Sequence, residues 1–188
     1  MTTTAQLNPA QPLVTLDEFS ANDAHLHVEL VAGQVVALPG TGARHGKVYA
    51  QTIFHLGRFI EPRDLGHVLS NNTLVVTQRN PDTCRGMDVC FISYEKLPKG
   101  PLGHEILTLP PDLIFEVRAP SDLWTDMITK ALEYLAAGVT AVVLLDPKTE
   151  SASVFRSDTR QEIFEANQLL VVPDVLPGFE VLVKKFFE

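Results

Sequence analysis

The feature that most constrains the fold is a strand–helix–strand succession between residues 111 and 147. The segment DLIFEVR has strand character and lies between prolines. A helix is predicted over DLWTDMITKALEYLAAG, with Ser121 as its N-cap and Gly138 as its C-cap residue. The run VTAVVLLDP that follows is almost wholly apolar, which is typical of a strand buried on both faces. Together with a preceding strand, MDVCFISY, this order predicts an α/β fold with a central mixed β-sheet flanked by helices.

Shorter signals organise the rest of the chain. Thr15 is a predicted N-cap, with Glu18 at the capping-box position. The segment HLHVELVAGQVVAL predicts two short strands around a turn that contains glycine. Apolar residues at helical spacing predict a long helix in ARHGKVYAQTIFHLGRFIEP, which Pro62 helps to end. The remaining predictions are a turn at NPDTCRG and a hairpin formed by ASVFRS and QEIFEA.

Length and composition bound the kind of protein. At 188 residues, the chain is interpreted as a flexible tail, residues 1–12, followed by a single domain, residues 13–188. The N-terminus lacks the features of a signal peptide, and no apolar run approaches the ~20 residues that span a bilayer. We therefore expect a cytoplasmic protein. Cys84 and Cys90 fit no zinc or redox spacing and are predicted to be buried thiols.

The net charge of −8 weighs against broad binding to nucleic acid, because phosphate contacts need lysine and arginine. An acidic excess is nevertheless compatible with a site that needs several carboxylates for a cation. The charge therefore leaves room for a small phosphodiester-cleaving site and argues against an extended nucleic-acid-binding surface.

Two acidic residues interrupt otherwise apolar strands. Because side chains alternate along a strand, Glu116 and Arg118 share a face of DLIFEVR, and Asp88 shares a face of MDVCFISY with Cys90. If these strands are neighbours, Asp88 and Glu116 can converge on one divalent cation. The alternative is a structural pair of Glu116 with Arg118, since buried charge is costly unless paired or metal-bound.

Two other acids are less suitable partners for Glu116. Asp112 lies on the same strand, about 13 Å away at ~3.3 Å per residue, so one ion cannot bridge the two carboxylates. Asp82 lies in a predicted turn and is less well placed than Asp88. The pattern therefore favours Asp88 as the second carboxylate.

The spacing of these residues resembles a known nuclease signature. Asp88, a loop and then Glu116-Val117-Arg118 resemble the PD-(D/E)xK motif. A longer pattern resembles the bacterial family of putative restriction endonucleases of unresolved function; it comprises HVELVAGQVV, Arg44-His45, PDLIFEVRAPSD, Lys130, Tyr134, Gly138-Val139 and Asp146-Pro147. The resemblance covers nearly the whole chain, from about Thr15 to Phe187.

The resemblance implies a restriction-endonuclease-like fold and a site for Mg²⁺ or Mn²⁺. The implied ligands are Asp88, Glu116 and the backbone carbonyl of Val117, with Glu29 as a possible third carboxylate. Such oxygen ligands are the ones that hard cations prefer. Glu29 also shares a strand face with His27, so a His-x-Glu metal pair and a solvated strand face stay open as alternatives.

The chain departs from the signature at three positions. Arg118 occupies the place of the signature lysine, and arginine binds phosphate well but is a poor proton acceptor. Met87 stands in place of the proline before the aspartate, and Ala119 stands where the family usually has serine. Because the lysine can migrate to the following helix in this superfamily, Lys130 is the predicted substitute. On the helical wheel Lys130 borders the polar arc, so it can extend either into solvent or towards the site.

The resemblance also implies supporting roles for three further residues. Arg44 and His45 open the long helix and are candidates for contacting phosphate or for supporting the metal ligands; a surface or capping histidine is the alternative. Tyr134, four residues after Lys130, is a candidate for holding that lysine, although a tyrosine at such a position is more often simply a core residue. Trp124 is expected in the core or at an interface.

Taken together, the sequence predicts a metal-dependent nuclease that hydrolyses phosphodiester bonds in DNA. Asp88 and Glu116 would hold the metal, with Glu29 assisting, and Lys130 with Arg118 would orient the nucleophile or stabilise the transition state. One alternative is a catalytically inactive binding or interaction protein with the same fold, and another is a phosphoesterase for a smaller molecule. We also expect a homodimer.

Overall fold

The computed structural model describes residues 12–21, 27–158 and 161–188. The predicted tail, residues 1–12, lies almost wholly outside the described residues and stays a prediction. The helices are α1 (Leu16–Ser20), α2 (Ala43–Ile60) and α3 (Trp124–Ala136), with 3₁₀ turns at Glu61–Arg63 and Val183–Phe186. The strands are β1 (Val28–Val31), β2 (Gln34–Ala37), β3 (Gly66–Gln78), β4 (Thr83–Ser93), β5 (Leu113–Val117), β6 (Ala141–Asp146), β7 (Ser151–Phe155), β8 (Glu162–Phe164), β9 (Leu169–Val171) and β10 (Glu180–Leu182).

A mixed sheet forms the centre of the molecule, as predicted. Its strand order is β2-β1-β4-β5-β6-β7-β8, and β3 pairs with β4 outside this path. The β5–β6 pair is parallel, because α3 carries the chain from one strand to the next, and the other pairs are antiparallel. A separate two-stranded sheet is formed by β9 and β10.

The two faces of the sheet are covered by different helices. α2 packs on one face, where Val48, Leu56 and Ile60 join a buried cluster with Phe115 and Val117 of β5. α3 packs on the other face, where its side chains join Ile114 of β5 and Val142 and Leu144 of β6. The alternation predicted for β5 therefore holds, and it directs the odd-numbered side chains to α2 and the even-numbered ones to α3.

Local signals placed several elements correctly. Thr15 and Glu18 form the predicted capping box at the start of α1. Gly138 adopts a φ of +102° after α3, and the following amide, Val139 N–H, donates to the Tyr134 carbonyl, as in a Schellman motif. All residues of β6 are buried, as its apolar run predicted. Cys84 and Cys90 are free and buried.

Two element boundaries were predicted wrongly. Ser121 is not the N-cap of α3; the helix begins at Trp124 with Leu123 as N-cap. The reason is a preceding loop in which the Asp122 carboxylate accepts from the Ala119 N–H at 2.7 Å. The predicted turn NPDTCRG is also too long, because β4 already begins at Thr83, where it pairs with β3. No helix of the described part of the chain is long and apolar enough to cross a membrane.

Candidate active site

The candidate site lies at a gap in the pairing along one edge of β4. β3 occupies the other edge over nearly the whole strand. On the gap edge, β1 pairs with β4 at Cys84, and β5 pairs with it at residues 89–91. No described strand pairs with residues 85–88 on this edge, so side chains bind the backbone groups that a sheet would normally satisfy. Around this gap lie four of the predicted site residues, Glu29, Asp88, Glu116 and Lys130.

Asp88 lies at the end of the gap next to β5. Since Val89 pairs with Phe115, the same register brings Asp88 opposite Glu116, which meets the condition on which the predicted metal site depended. The Asp88 Oδ2 atom accepts a 2.8 Å hydrogen bond from the Val117 N–H. Its carboxylate thereby replaces a backbone acceptor and is held at the edge of β5.

Glu116 points to the α3 side and is only 6% exposed. Its Oε1 accepts from the Tyr134 hydroxyl at 2.9 Å, and its Oε2 lies 3.1 Å from Lys130 Nζ. Burial raises the pKa of Glu116 to about 7; the positive charge of Lys130 opposes this rise, and the negative charge of Asp88 adds to it. The carboxyl group therefore changes its charge near neutral pH unless a further cation stabilises the carboxylate.

Lys130 reaches the site over the sheet rather than extending into solvent. Its Nζ lies 3.1 Å from both Glu29 Oε1 and Glu116 Oε2 and donates to the Gly86 carbonyl at 2.8 Å. Burial lowers the pKa of Lys130, but the charges of Glu116 and Glu29 outweigh burial and raise it. Lys130 is thus a fixed ammonium group. Tyr134 shares two of its partners, since its hydroxyl binds both Glu116 and the Gly86 carbonyl.

Glu29 is bound within a buried ion network next to Lys130. Its Oε1 accepts from the Gly86 N–H at 3.0 Å, and its Oε2 accepts from Arg85 at 2.9 Å. Arg85 in turn forms a two-pronged contact with Glu133. Burial raises the pKa of Glu29, but Lys130 and Arg85 lower it overall. Glu29 is therefore the anion that positions Lys130 and Arg85. His27 lies in a turn before β1 and not on the strand, so it does not share a strand face with Glu29.

His45 lies in the first turn of α2 and is buried. The alternative interpretation of a surface histidine is therefore wrong. Its Nε2 lies 3.4 Å from Asp88 Oδ2, and its ring also hydrogen-bonds the Val117 carbonyl. Burial lowers the pKa of His45, but the hydrogen bond and the charge of Asp88 outweigh burial and raise it. His45 therefore contacts two of the three groups that were predicted to hold the cation.

Arg118 lies beyond the end of β5, next to this group. Its Nη1 donates to Asp146 Oδ2 at 2.9 Å, and its Nε and Nη2 donate to the Asp122 carbonyl. The guanidinium also lies 5.3 Å from the ring centre of Trp124. Asp146 is 2% exposed, so a buried carboxylate holds the guanidinium of Arg118 in place. The alternative pair of Arg118 with Glu116 does not form, because each binds other partners.

A cleft of about 550 Å³ opens beside His45 and Arg118. Arg44 and Lys148 also line it, so cationic groups surround its mouth. Arg44 is exposed and forms an ion pair with Glu150 at 2.9 Å. The cleft is large enough for a phosphate and its sugar. It is lined by His45, which contacts Asp88, but Asp88, Glu116 and Lys130 are not among its lining residues.

Comparison with known families assigns the chain. The model of the Uma2 family, described as putative restriction endonuclease, matches residues 15–184. The chain belongs to this family. The match supports a nuclease-like function, and it agrees with the resemblance found in the sequence. A search of curated proteins finds no match.

A solved structure shows the same fold. The chain is similar to a putative nuclease belonging to DUF820 from Anabaena variabilis, with a TM-score of 0.79 and 21% sequence identity. The similarity covers 93% of this chain and 97% of that one. It confirms the predicted nuclease fold of this Uma2 family member, with the mixed sheet and its flanking helices.

The donor atoms of this Uma2 site suit a hard cation. Among residues 12–21, 27–158 and 161–188, no group of three or more His, Cys, Asp or Glu side chains could hold a metal ion. Asp88, Glu116 and the Val117 carbonyl form a smaller set made only of oxygen. Mg²⁺ commonly keeps several waters and binds through one or two carboxylates. Carboxylate oxygens also accept more than one contact, so the chemistry of these oxygens is compatible with Mg²⁺ or Mn²⁺.

Sequence reasoning missed three residues of the site. Arg85 and Glu133 complete the ion network around Glu29, and Asp146 anchors Arg118. A signal existed in each case, since a charged residue in a buried strand or on the buried side of a helix needs a partner. Which partner it finds depends on pairings far apart in the sequence.

Proposed function

We propose that this Uma2 family member is a metal-dependent endonuclease that hydrolyses phosphodiester bonds in DNA. The observation that supports this most is the meeting of Asp88, Glu116 and Lys130 at one gap in the sheet. Lys130 Nζ lies 3.1 Å from the Glu116 carboxylate, and Asp88 lies opposite Glu116 in the strand register. Two carboxylates beside a fixed ammonium group suit phosphodiester hydrolysis.

In the proposal, Asp88, Glu116 and the Val117 carbonyl hold Mg²⁺ or Mn²⁺. When bound, the cation makes water nucleophilic at neutral pH and offsets the negative charge that grows on the phosphate. His45 keeps Asp88 and Val117 in place through its two contacts. In the proposal, the chain's own residues thus bind the cation and hold its ligands in place.

Lys130 and Arg118 act on the substrate in this proposal. Because the pKa of Lys130 is raised, its ammonium group does not serve as a general base; it orients the nucleophile and stabilises negative charge. Arg118 lines the cleft and is held by Asp146, which also lines it, so Arg118 is placed to bind a phosphate oxygen. Tyr134 positions Glu116 and Lys130 through the hydrogen bonds of its hydroxyl.

A nicking assay on supercoiled plasmid tests the proposal. We expect Mg²⁺- or Mn²⁺-dependent nicking by the wild type, and a loss of at least about 100-fold in Asp88→Asn and Lys130→Ala, since each removes a group that stabilises the transition state. Asp112→Asn is the matched control, because Asp112 lies on the same sheet but binds Ser93 and Lys96. Equal activity in wild type and Asp88→Asn would contradict the proposal.

A catalytically inactive binding protein is the second candidate. It is favoured by the saturation of the carboxylates, since Glu29 and Glu116 are each bound by a cation of the chain itself. Isothermal titration with Mn²⁺ separates the candidates when combined with the nicking assay. Metal binding that Asp88→Asn abolishes, without cleavage of any nucleic acid, supports the second candidate over the first.

A further inference from the structure

α2 differs from the rest of the molecule in its charge. The chain has a net charge of −8, yet residues 43–60 contain three Arg or Lys residues, two histidines and no Asp or Glu. A helix of 18 residues with only positive charges is unusual in an acidic protein. Such a local concentration attracts an anionic partner even when the net charge of the protein repels it.

The positive charges of α2 lie along its solvent-exposed side. Arg44, Lys47, Gln51, Phe54 and Arg58 follow each other at intervals of three and four residues, so they form one stripe along the helix. All except Gln51 are exposed. Within the described residues Arg44 has an ion-pair partner, Glu150, whereas Lys47 and Arg58 form no ion pair. Their charges are therefore available to a ligand.

The stripe joins two cavities. Its first residue, Arg44, lines the cleft at the candidate active site. Its last residue, Arg58, lines a second cavity of about 480 Å³ together with His55, Arg63 and Lys185. One acidic residue, Glu180, lies among the lining residues of this second cavity. Burial, followed by the charges of Arg58 and Lys185, lowers the pKa of His55, which agrees with a positive potential there.

The dimensions of α2 match a nucleic-acid backbone. At 1.5 Å per residue, the distance along the helix from Arg44 to Arg58 is about 21 Å. This length corresponds to roughly six base pairs at 3.4 Å each. Glycine and alanine at positions 46, 50 and 57 keep the surface on one side of the stripe low, so a backbone can approach the helix from that side.

We propose that the exposed stripe of α2 binds the phosphodiester backbone of DNA and leads it from the catalytic cleft to the second cavity. The inference rests on the proposed function and extends it, because it defines where the substrate lies outside the catalytic groups. Charge complementarity favours this occupant: a repeated anion matches a row of separate cations better than a single phosphate does. The net charge of −8 argues against binding of nucleic acid over a broad surface. The stripe confines the proposed binding to one face of α2.

Fluorescence anisotropy with labelled duplexes of 8 and 20 base pairs tests the inference. The protein carries Asp88→Asn and EDTA is present, so cleavage does not interfere. We expect Lys47→Gln and Arg58→Gln each to weaken binding of the longer duplex by about fivefold or more and to reduce the salt slope by about one. Arg79→Gln is the matched control, since Arg79 is 52% exposed and lies outside α2. Its affinity should stay within about twofold of the parent.

Ligand length gives a second readout. Arg58→Gln should weaken both duplexes, because eight base pairs at 3.4 Å each span about 27 Å and exceed the distance of about 21 Å from Arg44 to Arg58. A labelled trinucleotide, about 10 Å long, does not reach the far end of α2 from the cleft, so its binding should stay nearly unchanged. A single strand of 20 nucleotides, measured in parallel, tells whether the stripe prefers single or double strands. Equal losses in Arg58→Gln and Arg79→Gln, or no binding of any nucleic acid, would overturn the inference.

The outcomes also separate this inference from the proposed function. Binding that depends on Lys47 and Arg58, without cleavage by the wild type, supports the stripe and contradicts the endonuclease. Cleavage that both substitutions leave unchanged supports the endonuclease and overturns the stripe. If the stripe instead contacts a second copy of the chain, Phe54→Ser would change the mass in sedimentation while DNA affinity stays the same, which also overturns the inference.

Discussion

At the scale of single residues, Glu116 shows how burial sets chemistry. Its carboxyl group lies among Lys130, Tyr134 and the Gly86 carbonyl, and burial is the largest cause of its raised pKa of about 7. In the unfolded chain the group has its ordinary pKa of 4.5. The difference makes the stability of the metal-free protein depend on pH.

We therefore predict that, without metal, the free energy of unfolding of the wild type falls relative to Glu116→Gln as the pH rises. A raised folded-state pKa gives a contribution that is fully present below pH 4.5 and is lost as the pH passes 7. The change should not exceed about 3 kcal/mol. Urea denaturation in EDTA at several pH values measures it, and parallel pH profiles for the two proteins would contradict it.

Single residues also show that bringing side chains together does not by itself fix their roles. Asp88, Glu116 and Val117 were placed by spacing and resemblance, and the structure brings them to one gap. Glu29 was placed there too, but its oxygens are bound by Arg85, Lys130 and the Gly86 amide. No local pattern around residue 29 indicates residue 85, which lies 56 positions away.

At the scale of elements, α3 controls the geometry of the site because it carries both Lys130 and Tyr134. The C-terminus of α3 is fixed by Gly138, which has a φ of +102°. A residue with a side chain adopts such a φ only with strain. A Cβ at this position would also lie 3.2 Å from Pro110 Cγ. The end of α3 is therefore set by one residue that has no equivalent substitute.

We predict that Gly138→Ala lowers the free energy of unfolding by about 1–2 kcal/mol, because alanine is strained at this φ. Gly57→Ala is the matched control: it lies inside α2, and a Cβ there meets nothing within 4 Å. It should stabilise the protein by about 0.5–1 kcal/mol, since alanine favours helix. Urea denaturation measures both, and equal effects of the two substitutions would refute the role assigned to Gly138.

α2 carries information that element-level sequence analysis overlooked. Its apolar spacing predicted a helix packed on the sheet, and this is what the structure shows. The absence of acidic residues in the same 18 positions was equally visible in the sequence. Its meaning depends on where the two ends of the helix lie, and only the fold brings them to two cavities.

At the scale of the whole molecule, the sheet leaves apolar side chains at two edges. β2 and β8 end the strand order, and Val35 and Ile163 on them are 53% and 58% exposed. Exposed strand edges pair readily with other chains. The expected homodimer stays a prediction, and of the two edges we place its contact at β8.

We predict a mass in solution of twice the 20.7 kDa of the chain, measured by light scattering after size exclusion. Ile163→Lys should give the monomer mass, because a charge on the edge strand opposes pairing. Leu132→Lys is the control, since Leu132 is 53% exposed but lies on α3. A monomeric wild type would refute the dimer, and a monomeric control would refute the choice of edge.

The sequence by itself determined most of the elements, their buried faces and the resemblance to the family. These depend on periodicity, capping and local motifs, which act between residues a few positions apart. The tertiary structure decided which charges meet: Glu29 with Arg85, Arg118 with Asp146, and Asp88 with His45. It also created the gap between β1 and β5 along β4. Such pairings arise from strand order and packing over long chain distances, so no local pattern encodes them.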